Sequence, residues 1–356
     1  MPYGTELLAQ NLITEAFRNN GSDIHFYPES QQMTVQLRAL GDLTMLRKIS
    51  ANQGERLISH FKFKASLDIG EKRKPQSGAT LMMIDEEKVS LRISTLPAAE
   101  GKESMVIRLL PQSFAIPIEK LSLFSNSARI LSSLVRQPQG LLLFSGPTGS
   151  GKSTTLYSLI HYCSTELNRN IITLEDPVER NEDHVLQVQI NERAGVTYAS
   201  GLKAVLRHDP DMIIIGEIRD EETADIAVKA SLSGHLVLST LHAKDTKGAI
   251  RRMIDLGIRK EDLKQSLIGA TGQRLVKINI NGKTRSRTSI YEIMTTHAVC
   301  DYLDELPEQT PYATLEQLFR KGAALGYVSP QEYHRWITPS DLYSQKRSAG
   351  FPSPIK

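Results

Sequence analysis

Near the start of the chain the apolar residues Leu7, Leu8, Leu12, Ile13 and Phe17 recur at helical spacing, which predicts an amphipathic helix over 5–19, stopped by Asn19-Asn20-Gly21. Residues 22–26 and 33–39 then read as strands, the second with clear alternation, and Gly41-Asp42 ends it. A second helix is predicted at about 53–65, with Leu57, Ile58 and Phe61 as its buried side. The charged, turn-rich segment 68–78 follows, and its Lys72-Arg73-Lys74 cluster reads as a solvated loop. Residues 89–96 and 104–110 are strands again, each with one arginine, Arg92 and Arg108, among apolar neighbours. Arginine cannot shed its charge, so at such positions it tends to be held by an anionic partner.

The run from Pro111 to Pro117 breaks this pattern and marks a boundary. The expected organisation is an N-terminal α+β domain over 1–110, a linker over 111–120, a second domain over 121–338 and a flexible tail over 339–356, where Ser, Pro, Gly and Lys show little periodicity. Past the linker a helix at about 125–136 precedes short apolar runs at 141–144, 170–174, 212–215 and 235–242, separated by helical patterns. Strand and helix in alternation predict an α/β fold with a parallel sheet. Asp220 as N-cap, acidic residues at 221 and 222, and Gly234 after the last turn bound one of these helices at 221–233.

Length and composition agree. At 356 residues the chain has room for two cores, and 40% hydrophobic with 23% charged residues is ordinary for a folded protein. A net charge of +3 neither demands nor excludes contact with nucleic acid or an anionic surface. No apolar run approaches the length that spans a bilayer, and the N-terminus lacks a signal-peptide layout, so the cytoplasm is the expected compartment. The two cysteines, Cys163 and Cys300, are too few for a disulfide framework or a four-cysteine metal site.

Residues Gly146-Pro147-Thr148-Gly149-Ser150-Gly151-Lys152-Ser153, followed by Thr154, match G-x-x-x-x-G-K-[ST]. An apolar strand before them and a helix after them is the order that brings backbone N–H groups and a helix N-terminus to phosphate oxygens. Lys152 is expected to reach the β- and γ-phosphates and Ser153 to ligate Mg²⁺. Two further strands deliver carboxylates at their C-terminal ends, Glu175 in Glu175-Asp176-Pro177 and Glu217 in Gly216-Glu217-Ile218-Arg219-Asp220, where open α/β sheets bind ligands. His235 and His242 bracket a strand of the same sheet and are read as neighbours of the γ-phosphate.

The series GPTGSGKSTTLYSL (146–159), TLEDPVE (173–179), LRHDPDMIIIGEIRDEETA (206–224) and GHLVLSTLHA (234–243) resembles the Walker A, Asp box, Walker B and His box of the ATPases that power type II secretion and type IV pilus assembly. Gln273-Arg274-Leu275-Val276 and Ile290-Tyr291-Glu292 match further on, and SDIH (22–25), DIGEKRKPQSG (68–78), LRISTLP (91–97) and VIRLL (106–110) resemble the family's N-terminal domain. The resemblance covers about residues 5–300 and is nearest to the branch that serves a competence pseudopilus. It implies a RecA-like P-loop ATPase domain preceded by a smaller PAS-like α+β domain, assembled as a homo-hexamer. The implied work is pilin assembly for DNA uptake, through a polytopic inner-membrane platform protein and from the cytoplasmic side of the cell membrane. It also implies roles. Glu175 orients the attacking water, with Glu217 the second choice; Ser153 and Glu217 hold Mg²⁺, partly through water; His235 and His242 report loss of the γ-phosphate. Arg92 and Arg108 bring positive charge to that phosphate when domains close.

Many relatives carry a four-cysteine zinc module between the two matched blocks, whereas Lys277–Ser289 here contains no cysteine, so no zinc is expected. A retraction or conjugation-type ATPase of the same superfamily and a nucleotide-gated scaffold without turnover remain alternative readings. The basic loop Lys283–Arg287 lacks interleaved aromatics, so direct binding of nucleic acid is not expected.

Overall fold

The computed structural model describes residues 2–112, 116–280, 283–307 and 310–337; the expected tail lies outside the described residues. The chain divides into two compact units, Met1–Phe114 with Glu179–Asn181, and the remainder.

The first unit is an antiparallel sheet of six strands in the order β3-β2-β1-β6-β5-β4. Its elements are α1 (Pro2–Arg18), β1 (Gly21–Pro28), β2 (Gln32–Ala39), β3 (Asp42–Ser50), α2 (Ala51–Lys64), β4 (Gln76–Ile84), β5 (Glu87–Pro97) and β6 (Glu103–Pro111). Leu12, Ile13 and Ala16 of α1 and Leu57, Ile58 and Phe61 of α2 pack with Ile24, Phe26, Val35, Leu91, Ile93 and Ile107 of the sheet. Leu7, expected on the apolar side of α1, is instead 59% exposed. A capping box between Ser50 and Gln53 starts α2.

Two strands of this unit were not predicted. Edge strand β3 is exposed along nearly all its length, so no alternation marks it, and β4 opens inside a segment rich in charge and turn residues. Arg92 and Arg108 face each other in the β5–β6 register. Arg108 Nε donates to Asp23 Oδ1 at 2.9 Å, and Arg92 Nη1 lies 3.7 Å from Glu179 Oε1, so both have the acidic neighbour that their strand positions predict.

The turn-rich segment is stitched rather than loose. Asp68 Oδ1 accepts from the N–H groups of Gly70 and Glu71, and the Gln76 amide donates to the carbonyls of Asp68 and Glu71 while accepting from Asp68 N–H. Lys62, fully buried, donates to the Glu71 carbonyl at 2.8 Å and to both oxygens of Glu103 at 2.9 and 3.1 Å. Removing one partner of such a pair strands the other charge in the core, at a cost of about 3–5 kcal/mol. Lys62→Met is therefore expected to lower unfolding stability by about that amount, with much of it restored by adding Glu103→Leu. Urea midpoints that do not move would contradict this.

The second unit is built on seven strands in the order β13-β12-β7-β11-β10-β8-β9. Five are parallel neighbours around the centre: β7 (Gly140–Ser145), β8 (Ile171–Glu175), β9 (Val185–Gln189), β10 (Met212–Ile215) and β11 (Leu236–Leu241). Strand β12 (Leu267–Ile280) runs parallel to β7 and turns back as β13 (Lys283–Thr295). Central strands here are buried at every position and mostly apolar because both faces are covered. Leu141, Leu143, Ile213, Ile215 and Val237 pack into one layer, and Leu142, Phe144, Met212, Ile214 and Leu238 into the other. Helices α3 (Ser125–Leu134), α4 (Lys152–Thr165), α5 (Tyr198–Val205), α6 (Glu221–Leu232), α7 (Thr246–Asp255), α8 (Lys260–Ser266) and α9 (Thr296–Leu303) accompany the sheet. Helices α10 (Leu315–Ala324) and α11 (Pro330–Trp336) close a separate cluster over the hairpin, where Leu318, Phe319 and Val328 meet Val276, Ile278 and Ile290. No helix among the described residues is long and apolar enough to cross a membrane.

Candidate active site

Strand β7 ends at Ser145, whose hydroxyl donates to the carbonyls of Thr271 at 2.7 Å and Asp245 at 3.1 Å, so the phosphate loop leaves a fixed point. Gly149 and Gly151 take φ of 76° and 91°, left-handed conformations in which a side chain is strained. Helix α4 starts at Lys152 without a side-chain cap, which leaves the first-turn N–H groups to a ligand. Lys152 Nζ meanwhile donates to the carbonyls of Gly146 at 2.7 Å and Pro147 at 3.2 Å. Burial lowers its pKa, the nearby Glu217 charge opposes that, and Arg274 adds to it. These features fit a polyphosphate: glycine backbone, an uncapped helix start and one ammonium at a single strand end.

Glu175 is the last residue of β8 and nearly buried. Its Oε1 accepts from Thr173 Oγ1 at 2.6 Å and Gln187 Nε2 at 3.1 Å, and its Oε2 accepts from the Tyr157 hydroxyl. A carboxylate has about four acceptor sites, so three donors fix its plane and leave one site, on Oε2.

Glu217 follows β10. Ile218 N–H donates to the Thr240 carbonyl at 3.1 Å, and Thr240 Oγ1 donates to the Gly216 carbonyl at 2.6 Å, pinning the residues on either side of Glu217 to β11. Its oxygens then meet Arg219 Nε at 2.8 Å and His242 Nε2 at 3.3 Å. Ser153 is exposed in the first turn of α4, and its hydroxyl with the Glu217 carboxylate is a hard oxygen set that suits Mg²⁺ with retained water.

Lys152, Ser153, Glu175, Glu217 and His242 thus all sit at the C-terminal ends of parallel strands or just beyond them. His235 does not join them. It precedes β11, whose register sets Leu236 beside Gly140 and Leu241 beside Ser145, so it stands at the opposite sheet edge. There its Nδ1 lies 3.1 Å from the Ala230 carbonyl at the end of α6, a helix-terminal contact. Arg92 and Arg108 belong to the first unit.

Several side chains that shape the site carry no signal of their own in the sequence. Thr173 shares the strand face of Glu175 by the two-residue period, a relation that could have been read. Tyr157 and Gln187 come from other elements and could not. Tyr198 Oη lies so close to Gly216 that a Cβ there would sit at 2.9 Å, and burial, reinforced by the charges of Asp176, Glu217 and Glu175, raises its pKa to about 12, so it stays a neutral hydroxyl. Beneath the loop, Gln273 Nε2 donates to the Ser150 carbonyl at 2.9 Å, and Thr155 Oγ1 meets Tyr291 Oη at 2.7 Å.

The family model described as type II/IV secretion system protein matches residues 4–309. Among curated proteins, the chain is similar to competence protein ComGA of Bacillus subtilis, 46% identical over 93% of this chain and 98% of that protein. It is likewise similar to competence protein ComGA of Halalkalibacterium halodurans, at 39% over 91% and 96%. Type II secretion system protein E of Pseudomonas aeruginosa is 43% identical over 76% of this chain, a match that spans 54% of that protein. Among solved structures, the Legionella pneumophila ATPase DotB superposes with a TM-score of 0.75 at 20% identity, covering 92% of this chain and 94% of its own. The pilus retraction motor PilT with bound ADP gives 0.69 at 24%, covering 94% and 98%. These two likenesses establish the fold.

Proposed function

This chain belongs to the type II/IV secretion system protein family, and we propose that within it the protein is the ATP-hydrolysing motor of a competence pseudopilus, powering pilin assembly for DNA uptake. The observation that carries the chemistry is Glu175, a carboxylate oriented by three donors with one acceptor site left, at the same strand ends as the phosphate loop. Phosphoryl transfer to water asks for positioning and charge stabilisation more than for covalent chemistry. Lys152 exchanges its two carbonyl partners for phosphate oxygens, the N–H groups from Gly149 to Thr154 close around them, and the remaining site on Glu175 Oε2 accepts a hydrogen bond from the attacking water. Mg²⁺, held with its water shell by Ser153 and Glu217, would neutralise charge on the β- and γ-phosphates. His242, against Glu217, sits where a change in that carboxylate's surroundings passes to the segment after β11. His235 has no part in the site. Arg92 and Arg108 are proposed as the cations that complete the charge stabilisation in the assembled protein.

The near full-length likeness to two competence proteins supports the pseudopilus over retraction or conjugation as the setting. A homo-hexamer at the cytoplasmic face of the membrane, working on a polytopic platform protein, is the corresponding assembly. Steady-state ATP hydrolysis, measured on material whose mass is determined in the same buffer, tests the reading. A hexamer is expected to turn ATP over, and Lys152→Ala to lose about 10–100-fold in ATP affinity, the worth of a hydrogen bond between charged groups. A hexamer that binds ATP yet stays inactive with its platform protein supplied would overturn it in favour of a nucleotide-gated scaffold.

A further inference from the structure

Arg274 is a buried cation that the mechanism above does not use. It lies on β12, opposite Ile290 of β13, and is 8% exposed. Among the described residues no carboxylate forms an ion pair with it, and Glu292 and Asp245 act on it only through space. Its partners are two backbone carbonyls and a ring: Nη1 donates to Gln273 O at 2.9 Å, Nη2 donates to Lys244 O at 2.7 Å, and Cζ stands 5.4 Å from the ring centre of Trp336 on α11. Trp336 is the chain's only tryptophan, and its Nε1 is tied to Glu332 at 3.1 Å.

Both carbonyls belong to strategic backbone. A Cβ on Gly146, the first residue of the phosphate loop, would lie 2.6 Å from Gln273 O, so that carbonyl is the surface on which the loop rests. Lys244 lies two residues beyond His242 and directly before Asp245, the N-cap of α7, whose carbonyl receives the Ser145 hydroxyl. A buried guanidinium is costly to desolvate and cannot neutralise itself, so packing alone does not account for it. It does what no apolar residue can, making one directional bond to the carbonyl beside it on β12 and a second to the segment after β11, with the partly buried ring of Trp336 alongside.

We infer that Arg274 is a positioning residue that fastens the segment carrying His242 to the support of the phosphate loop, with Trp336 as the cover that keeps this fastening dry. The inference rests on the nucleotide-site reading, since the elements it joins are those that flank the γ-phosphate position. Its consequence is that α11 supports the site from a distance: loosening this helix loosens the His242 segment.

Amide hydrogen exchange on the nucleotide-free full chain reads this without any turnover. Arg274→Met is expected to speed exchange in 243–248 at least tenfold while β10 stays as in the wild type. Arg274→Lys, which keeps the charge but cannot bridge both carbonyls, should speed the same segment with milder loss of stability. Trp336→Phe, which keeps a ring face, should leave it slow. In hydrolysis assays kcat should fall about tenfold or more with KM for ATP little changed in Arg274→Met, because the loop's own contacts persist. Exchange that rises evenly across the unit, or not at all, in both arginine variants would reduce Arg274 to a packing residue and overturn the inference. A wild type without ATPase activity would instead strike at the proposed function, and the exchange data would still decide Arg274.

Discussion

Glu175→Gln should lose about 10²–10⁴ of kcat while ATP affinity stays within the wild-type range, the loss typical when a positioned proton acceptor is removed. The substitution is nearly isosteric, so no cavity forms. It puts an NH₂ group where three donors already point, and whichever way the amide turns, at least one of Tyr157, Thr173 and Gln187 meets a donor instead of an acceptor. Tyr157→Phe separates the two contributions: it leaves the carboxylate intact and removes one orienting bond, so its kcat should fall only about tenfold, the worth of one such bond. Single-turnover hydrolysis alongside equilibrium ATP binding checks both. Wild-type kcat in Glu175→Gln would transfer the water-orienting role to Glu217.

Arg108→Ala should reduce turnover in the assembled protein by about 10³-fold or more, as expected for an arginine that stabilises transferring phosphoryl charge, with nucleotide binding largely kept. Arg92 and Arg108 sit directly opposite each other on adjacent strands, an arrangement of like charges that is unfavourable unless each has a partner of opposite sign. Asp23 and Glu179 supply them. A discriminating control follows from the 2.9 Å contact between Arg108 and Asp23. If Arg108 serves only that ion pair, Asp23→Asn and Arg108→Ala should behave alike. If Arg108 serves phosphate, Asp23→Asn should retain turnover near wild type, because it frees the guanidinium rather than removing it. Equal losses in the two variants would remove Arg108 from the chemistry, and the same measurement on Arg92→Ala with Glu179→Gln tests its neighbour.

The largely apolar central strands of the second unit and the glycine loop could be read from the sequence because each depends on local facts: a parallel strand covered on both faces is a near-continuous apolar run, and a phosphate loop needs glycine where φ is positive. Glu175 and Glu217 were legible for a related reason, since a carboxylate at a strand's C-terminal end points to the ligand edge. His235 misled because the same strand has two ends, and a histidine at the amino end looks identical in sequence to one at the carboxyl end. Edge strand β3 was hidden by its exposure, and the long β12–β13 hairpin by residues such as Arg274 and Glu292, whose burial depends on partners from α7, α10 and α11 rather than on their neighbours in sequence. The missed side chains around the site are of one kind. Tyr157, Gln187, Gln273 and Arg274 act across elements, and no periodicity within a segment records a contact between segments.

The stitched segment around Lys72-Arg73-Lys74 bears on how this protein meets a protease. Three basic residues in a row are an inviting trypsin site by composition, but cleavage requires a stretch of chain to be drawn out into the enzyme's cleft. Here the backbone on the amino side is held by Lys62, Asp68 and Gln76, and Pro75 makes the bond after Lys74 a poor substrate. Limited digestion of the native protein should therefore begin elsewhere, and rapid nicking at 72–74 would announce that the buried lysine has let go.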